Sequence, residues 1–417
     1  MRSSKATLIL WMRSEGDSEA EQMVSGAKRA NVLDHVEKAC HVEEIGSIIL
    51  VTNCPIMEKS LKDYPVILER VSPQEMVPFG ERLGRIIRKH RVEALFYVGG
   101  GSGVFMDAED MARMARAVLA SPDMLLVNNF FSTDFAALGR DVALGTLGRC
   151  RKDNHLGMVL GRDQGVKTRV LPPSLMARFD IDTPTDLMML KTHPPREGHI
   201  SRVVSDLPMD ISSIFHLMDV LVDRDREAAI MGRIPPEIAL FFDRETACHL
   251  RFHIEERGME GGKGGEAVWS LVGLCLEKAG IASFFRTLGA HIHGAVVDSR
   301  VFFRHFGLHP SRRDRFSSDI LQPEEIADPW VRLLTEAARE CPIPVILGGH
   351  TLVSGGLYIL AEAAWKKTGR PLIRDVEQFH HRGGEGKPPA VANGLSPVEG
   401  DGKWLYQTTA TLSLGRT

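Results

Sequence analysis

Two aspartates that could bind a metal ion stand in the stretch "RFDIDTPTDL", residues 178–187. Asp180 and Asp182 alternate on a segment that precedes a predicted helix, and alternate residues of an extended chain point the same way. Two parallel carboxylates repel each other unless a cation lies between them, and hard divalent cations prefer such oxygen ligands. The spacing therefore predicts a divalent metal site or, as the alternative, a solvated acidic strand end.

The rest of this stretch is explained by the start of a helix. Thr183 is a good N-cap, Pro184 fits the first helical position, and Asp186 stands three residues after the cap. Together they form a sequence close to a capping box. These three residues need no ligand to account for them.

Three further polar or glycine-rich segments follow apolar runs, where open α/β sheets place ligands. The segment "GGGSG" could bind a phosphate through backbone amides or form a tight turn, and it lacks the Lys of a P-loop. The polar loop at 127–140 could bind a substrate or serve as a turn. The segment "LGGHTLVSGGLY" could form an anion site at a helix N-terminus. The candidate residues are Gly99, Gly100, Gly101, Ser102, Asn128, Asn129, Asp134 and His350.

A basic run in the second half offers another possible anion site. Residues 291–319 hold five arginines and four histidines. Guanidinium groups pair bidentately with phosphate or carboxylate, but such a run is also typical of a solvated face or of an ion-paired contact. The sequence leaves both interpretations open.

The elements that must position these residues predict an α/β fold. Short apolar runs at 6–11, 47–52, 94–98, 124–127 and 166–171 alternate with helical patterns, which favours a mainly parallel, Rossmann-like sheet. A Pro-rich break at 192–199 predicts a boundary, so we expect an α/β domain over 1–195. A mostly α-helical domain is expected over 196–380, including one helix across "IPPEIALFFDRETACHLRFHIEER" and one buried strand at 343–349, and a Gly/Pro-rich tail over 381–417.

Composition excludes several classes of function. The formal net charge of -3 gives no general attraction to nucleic acid or to anionic membranes. No apolar run reaches the length of a membrane span, and the N-terminus lacks the pattern of a signal peptide. The six cysteines are scattered without a CxxC pair, which fits a reducing cytoplasm.

The motif "DIDTPTDL" resembles the ending of the catalytic domain in nucleotidyltransferases related to the molybdenum-cofactor guanylyltransferases, phospholactate guanylyltransferase and the cytidylyltransferases of isoprenoid synthesis. Upstream, "LDHVEKA" is similar to a helix of that family, and "YVGGGSGVFMDAEDMARM" is similar to the strand, turn and helix of its metal centre. The segment "DNHLGMVLGRDQGVKTRVLPPS" resembles the part that leads into the last motif. The resemblance covers roughly residues 5–190.

The resemblance implies a GT-A-type fold and transfer of a nucleotide with release of pyrophosphate. It implies that Asp180 and Asp182 hold Mg²⁺, with Lys28 and Asp182 catalytic. Nucleotide binding is then expected at Arg13, Lys28 and residues 99–102, and acceptor binding at the 128–134 loop, Asp153 and Asn154. His350 lies outside the part that the resemblance covers, and it is a candidate for substrate binding because of its own glycine-rich segment. The implied ligands are a nucleoside triphosphate and a phosphorylated small molecule, in a protein that could be a homodimer.

Two differences from the family pattern give a rival hypothesis. The family's Gly-rich phosphate loop is replaced here by a segment with acidic residues, among them Asp17 and Glu21. The Asp that holds the metal at the turn falls at Gly101 or Ser102, and neither carries a carboxylate. The alternative is therefore a catalytically degenerate protein that binds a nucleotide or phosphometabolite or acts as a scaffold.

Overall fold

The computed structural model describes residues 5–13, 16–72, 77–142, 144–256 and 267–370. The expected tail over 381–417 lies outside these ranges. Within them, no helix combines the length and apolar character needed to cross a membrane.

Seven strands form the first sheet, in the order β3-β2-β1-β4-β6-β5-β7. They are β1 (Ala6–Met12), β2 (Ile45–Thr52), β3 (Val66–Arg70), β4 (Ala94–Gly99), β5 (Met124–Val127), β6 (Phe135–Leu138) and β7 (Lys167–Val170). Only β6 pairs antiparallel with its neighbours, so the predicted mainly parallel α/β sheet is confirmed. The sequence analysis missed β3 and β6. The run "FAAL" of β6 is short and Ala-rich, which is a weak strand signal.

Helices cover both faces of this sheet. They are α1 (Glu19–Cys40), α2 (Pro55–Ser60), α3 (Phe79–His90) and α4 (Ala108–Ala120). Two further helices, α5 (Leu175–Arg178) and α6 (Pro184–Thr192), follow β7 in the chain. Alternate residues of β1 point to opposite faces, so Leu8 and Leu10 pack in one hydrophobic cluster with α1 and α4, whereas Ile9 packs in another with α3. As predicted, α6 starts at Pro184, and the Asp186 carboxylate accepts the backbone N–H of Thr183 at 2.7 Å.

The second half of the chain is rich in helices, as predicted, and it also contains a parallel sheet. The strands are β8 (Glu227–Gly232), β9 (His249–Ile254), β10 (Gly294–Asp298) and β11 (Val345–Gly348), in the order β11-β10-β8-β9. The helices are α7 (His199–Asp206), α8 (Ser212–Leu221), α9 (Pro236–Arg244), α10 (Leu271–Ala279), α11 (Ile281–His291), α12 (Arg300–His305), α13 (Arg312–Asp319), α14 (Pro329–Arg339) and α15 (Gly355–Thr368).

The single helix expected across "IPPEIALFFDRETACHLRFHIEER" is wrong in its second half. Helix α9 ends at Arg244, and "HLRFHI" forms the edge strand β9. Its alternating apolar residues, Leu250 and Phe252, are half-buried between exposed polar neighbours. That period of two is the pattern of a strand with one solvated face.

The two halves of the chain share one hydrophobic cluster. It includes Ala27 of α1, Leu190 of α6, Leu217 of α8, Ile230 of β8 and Leu360 of α15. Each fully buried Leu or Ile side chain of this cluster stabilises the fold by about 1.5–3 kcal/mol relative to exposure. This apolar packing fixes the position of the second sheet relative to the first.

Candidate functional site

A large cleft, of ≈ 1030 Å³, lies where the carboxyl ends of strands from both sheets meet. The first sheet contributes the residues that end or follow β1 and β4, and the second contributes those that follow β8, β10 and β11. Open α/β sheets bind ligands at this end of their strands. The sequence-predicted residues that line the cleft are Arg13, Lys28, Gly99, Gly100, Gly101, Ser102, Asp134, Asp153, Asn154, Asp180, Asp182 and His350.

Two polar side chains of α1 hold the glycine turn after β4. Asn31 Nδ2 donates to the carbonyl oxygens of Gly100 at 3.0 Å and Ser102 at 2.9 Å. His35 Nε2 lies 2.8 Å from the same Ser102 oxygen, so this nitrogen carries the proton and donates it. Both side chains are buried. The sequence analysis missed this role, although His35 stands inside the motif "LDHVEKA".

The neutral state of His35 predicts a pH dependence of stability. Burial, and then the charge of Lys38, lower the pKa of His35 from 6.5 to about 4, and its Nδ1 is buried without a partner. The unfolded state therefore binds one more proton than the folded state between pH 6.5 and about pH 4. We expect stability to fall by about 3 kcal/mol as pH falls through this window.

The measurement is denaturant unfolding at a series of pH values for the wild type and His35→Gln. Glutamine can donate to the Ser102 oxygen but does not titrate. The wild type should lose stability relative to the variant on acidification. Equal pH dependence of the two proteins would contradict the neutral, buried histidine.

Gly101 has no room for a side chain because Asp180 occupies that space. A Cβ added at Gly101 would lie 2.5 Å from Asp180 Oδ1 and 2.5 Å from the Ile181 carbonyl oxygen. Ser102 and Asp180 are also joined by an antiparallel bridge. The turn thus lacks a carboxylate of its own, and a carboxylate from the "DIDT" segment reaches the same place.

Three carboxylates face the cleft, and the pKa values of two of them, Asp134 and Asp180, are raised. Burial, and then the charges of Asp182 and Asp134, raise the pKa of Asp180 well above its ordinary value. Burial also raises the pKa of Asp134 to about 7, to which the charge of Asp182 contributes. The side chain of Asp182 itself is 57% exposed. A cation between them would restore the ionised state, so the set has the charge and the oxygen donors that suit Mg²⁺.

Lys28 brings a positive charge to this group from α1. Its Nζ lies 3.7 Å from Asp182 Oδ1, and its side chain is 25% exposed. The contact links the lysine that was expected to bind phosphate to an aspartate of the "DIDT" segment. An ammonium group here can move between the carboxylate and a ligand phosphate, since it is a flexible point charge.

Asp134 is held in place by the amides of the polar loop. Asn128 Nδ2 donates to Asp134 Oδ2 at 2.9 Å, and Asn154 Nδ2 lies 3.3 Å from Asp134 Oδ1. Asn128, a predicted substrate contact, does not line the cleft, and its amide instead holds the Asp134 carboxylate. Asn129 lines a recess of ≈ 50 Å³ beside the cleft. Asp153 accepts the hydroxyl of Tyr97 at 3.0 Å.

A buried arginine near the acidic group was missed by the sequence analysis, although Arg178 opens the quoted stretch. Its side chain is 9% exposed, and its Nη2 donates to Glu237 at 2.9 Å. Its Nε and Nη1 are buried without a partner. Arg178 lines the small recess together with Asp134, Asp180 and Asp182. An anionic ligand oxygen would satisfy these donors.

A different set of residues has the tight spacing of a metal site but is already engaged. Among the described residues, only Asp34, Glu37 and His199 place three ligand atoms within 4.8 Å of one another. The Asp34 carboxylate accepts the backbone N–H groups of His199 and Ile200, at 2.6 and 3.0 Å, and so caps α7. Glu37 Oε1 contacts His199 Nε2 at 2.9 Å. We assign this set to helix capping and an ion pair.

Arginines of the second half line the opposite side of the cleft. Arg233 pairs with Asp298 through two hydrogen bonds of 2.6 and 3.0 Å. Arg300 pairs in the same bidentate manner with Asp319, one of the bonds measuring 2.7 Å. Burial alone would raise the pKa of Asp298, but the positive charges around it, Arg233 first, lower it. Both pairs are buried, so the guanidinium groups are fixed in position.

Comparisons with known proteins give structural likenesses only. No protein-family model and no curated protein matches the chain. A cytidylyltransferase from Leptospira borgpetersenii is similar at 13% identity and a TM-score of 0.34, over 50% of this chain and 99% of that one. A CMP:2-keto-3-deoxy-manno-octonic acid synthetase solved with CTP is similar at 13% identity and a TM-score of 0.31, over 45% of this chain and 97% of that one.

A third solved structure of this kind is 4-diphosphocytidyl-2C-methyl-D-erythritol synthase from Anaerococcus prevotii. It is similar at 13% identity and a TM-score of 0.30, over 44% of this chain and 92% of that one. The TM-scores of all three likenesses are low.

Proposed function

We propose that the chain is a metal-dependent nucleotidyltransferase, which transfers a nucleoside monophosphate from a nucleoside triphosphate to a phosphorylated small molecule. The observation that carries the proposal is the content of one cleft. The three carboxylates Asp134, Asp180 and Asp182, the Lys28 ammonium and the glycine turn at 99–102 all line it. Carboxylates for a cation beside donors for phosphate are the combination that phosphoryl chemistry requires.

The reaction needs positioning and charge neutralisation more than acid–base catalysis. An oxygen of the acceptor's phosphate attacks the α-phosphorus, and the bond from that phosphorus to the bridging oxygen breaks, releasing pyrophosphate. The attacking oxygen is already anionic, so no proton has to be removed. The backbone amides of the glycine turn approach the nucleotide, while Lys28 and Arg13 contact its phosphates.

The site fits Mg²⁺ although its carboxylates are more widely spaced than in a closed protein cage. Mg²⁺ is usually held by one or two carboxylates together with substrate phosphates and water. Asp180 and Asp182 would hold it, with Asp134 facing the same space. When bound, the ion would neutralise charge on the phosphates of the nucleotide. Asp153, Asn154 and His350 line the remainder of the cleft, where the acceptor would lie.

The proposal predicts metal-dependent binding of a nucleotide. Each of the common nucleoside triphosphates is added with Mg²⁺ or with EDTA, and thermal unfolding is followed. At least one nucleotide should raise the unfolding temperature only in the presence of Mg²⁺, because a ligand stabilises the state that binds it. At a concentration of 100 times its Kd, that ligand would add about 2.7 kcal/mol. Release of pyrophosphate with a panel of phosphorylated acceptors then tests the reaction.

The alternative is a degenerate protein that binds a phosphometabolite or serves as a scaffold, and the missing glycine loop favours it. In place of that loop, Glu21 lines the cleft and completes a capping box with Ser18, whose hydroxyl lies 2.7 Å from Glu21 Oε2. This residue therefore serves the start of α1. Absence of any metal-dependent nucleotide effect would favour the alternative over the transferase.

A further inference from the structure

The small recess beside the cleft contains a buried guanidinium whose donors are not all used. The recess has a volume of ≈ 50 Å³, and Arg178 of α5 lines it. The Arg178 side chain is 9% exposed. Its Nη2 donates to Glu237 of α9, whereas its Nε and Nη1 are buried with no partner among the described residues. Buried donors left without a partner are costly, so these two groups call for the oxygen of a ligand or of water.

The start of α15 brings further polar groups to this recess. Its N-cap residue Ser354 lines the recess, and so does Thr351, whose hydroxyl can donate a hydrogen bond. The N-terminus of a helix carries partial positive charge and favours an anion. A Cβ added at Gly355 would lie 2.5 Å from the Arg178 carbonyl oxygen, so the absence of a side chain lets α15 approach α5 this closely. The guanidinium and the positive end of α15 therefore border the same small space.

The polar loop before β6 supplies a third donor. Asn129 lines the recess, and its Oδ1 accepts the backbone N–H of Phe131 at 3.1 Å, so its amide nitrogen is left to donate. Donors then come from three segments of the chain, at Arg178, Thr351 and Asn129. Because hydrogen bonds are directional, a tetrahedral oxyanion, which presents oxygens in several directions, suits such a set better than a planar carboxylate.

The recess has room for one such group but not for a whole ligand. A single water molecule needs a cavity of roughly 10–15 Å³, so ≈ 50 Å³ accepts a group of a few non-hydrogen atoms. Complete small-molecule sites take about 300–1,000 Å³. The rest of the ligand would therefore lie in the cleft, which shares the lining residues Asn154 and His350 with the recess.

Negative groups also line the recess, and they make its occupation by an anion dependent on a cation. These groups are Asp134, Asp180 and Asp182. Their carboxylates repel an anion unless a cation balances them, and the proposed function places Mg²⁺ at Asp180 and Asp182. An oxyanion in the recess would thus be held by Arg178 and would bind more tightly when the cation is present.

We propose that this recess binds the phosphate of the acceptor, with Arg178 as the residue that contacts its oxygens. The inference rests on the proposed transferase function for the identity of the ligand. The acceptor's phosphate must reach a nucleotide whose phosphates lie near the metal-binding carboxylates, and two of these carboxylates line the recess. Guanidinium groups bind phosphate through strong, charge-assisted hydrogen bonds. Since Arg178 belongs to the first half of the chain and Thr351 to the second, the phosphate would contact both halves.

Glu237 offers a matched control, because it forms the ion pair with Arg178 but does not line the recess. Its side chain is 36% exposed, so it tolerates the loss of its charge. Glu237→Gln removes the ion pair and leaves the guanidinium at the recess. Arg178→Gln removes the guanidinium, whereas Arg178→Lys keeps a charge for Glu237 but lacks the planar set of donors. The lysine variant keeps the test decisive if the glutamine variant does not fold.

The experiment is calorimetric titration of inorganic phosphate into the full chain, in Mg²⁺ and in EDTA. The wild type should bind phosphate more tightly in Mg²⁺. In Mg²⁺, the affinity should fall at least about tenfold in Arg178→Gln and about threefold or more in Arg178→Lys, and it should stay within about twofold in Glu237→Gln. Phosphate bound near Lys28, where nucleotide phosphates are expected, would appear in all of these proteins as a separate component.

Three results of this titration would overturn the inference. They are titrations of both Arg178 variants that match the wild type, an equal loss of phosphate binding in Glu237→Gln, and no phosphate binding by the wild type in Mg²⁺. Once pyrophosphate release is detected, Arg178→Gln should raise the KM of the acceptor at least about tenfold and leave the KM of the nucleotide within about twofold. The reverse pattern would assign the recess to the nucleotide and contradict the proposal.

The outcomes also separate this inference from the proposed function. Metal-dependent stabilisation by nucleotides is measured in parallel by thermal unfolding. If phosphate binding depends on Arg178 but no nucleotide stabilises the wild type, the oxyanion site stands and the transferase function fails. If nucleotides stabilise the wild type but phosphate binding is the same with and without Arg178, the transferase function stands and the inference about the recess fails.

Discussion

Asp182→Asn is expected to abolish Mg²⁺-dependent stabilisation by nucleotides and to reduce pyrophosphate release by about 10²–10³-fold or more. Asp182 is the exposed carboxylate of the acidic group, and it is also the one that Lys28 approaches. The amide keeps the shape of the side chain but removes the charge that a divalent cation requires. The measurements are thermal unfolding with and without Mg²⁺, and a coupled assay for pyrophosphate.

One control separates this effect from the loss of a surface charge. Asp123 is exposed and does not line the cleft, so Asp123→Asn should leave both readouts unchanged. Asp180→Asn should reduce both readouts as well, because Asp180 is the second carboxylate of the proposed metal site. Undiminished, metal-dependent activity of Asp182→Asn would remove Asp182 from the metal site.

Arg233→Met is expected to lower the free energy of unfolding by about 3–5 kcal/mol. Asp298 has no exposed side-chain surface, and the substitution leaves its carboxylate buried without the two hydrogen bonds from Arg233. The buried charge then loses its main compensating partner, because His350 and Arg300 contribute less, and this loss costs far more than the loss of a surface contact. Denaturant unfolding of the variant at neutral pH provides the measurement.

An exposed ion pair of the same protein provides the control for the stability loss expected in Arg233→Met. Arg339 and Glu324 form an ion pair of 2.9 Å between side chains that are 46% and 61% exposed. Arg339→Met should therefore change stability by no more than about 1 kcal/mol. The double substitution Arg233→Met/Asp298→Leu should recover most of the lost stability, because neither charge of this pair then remains buried. A single variant as stable as the wild type would show that Asp298 does not depend on Arg233.

Much of the acidic side of the cleft could be predicted from the sequence, because short local motifs identify its residues. The rules of helix capping explain Asp186 and leave Asp180 and Asp182 as the candidate ligands. The glycine turn after β4 follows from an apolar run and its composition. That Asp134 lies close to this pair could not be predicted from the sequence, because its position depends on β6. That strand turns back antiparallel between β4 and β5, and its sequence is too short to predict.

The arginine-lined side of the cleft could not be predicted from the sequence, because its residues are brought together by the second sheet. The basic run at 291–319 can be recognised in the sequence, but the spacing of its five arginines does not show which of them line a site. The structure places Arg300, Arg312 and Arg315 in the cleft and directs Arg313 to Glu325. Arg233 lies more than sixty positions upstream of Arg300 and joins them only through the parallel pairing of β8 with β10. Such long-range pairing leaves no local signal.

The hydrophobic cluster shared by both halves has a consequence for synthesis on the ribosome. Ala27 and Leu190 are translated well before Leu217, Ile230 and Leu360, which cover them in the folded protein. Until that later part emerges, the nascent first half presents an uncovered apolar face, a surface that chaperones bind and that otherwise aggregates. The two sides of the cleft can therefore come together only after the second half has been translated.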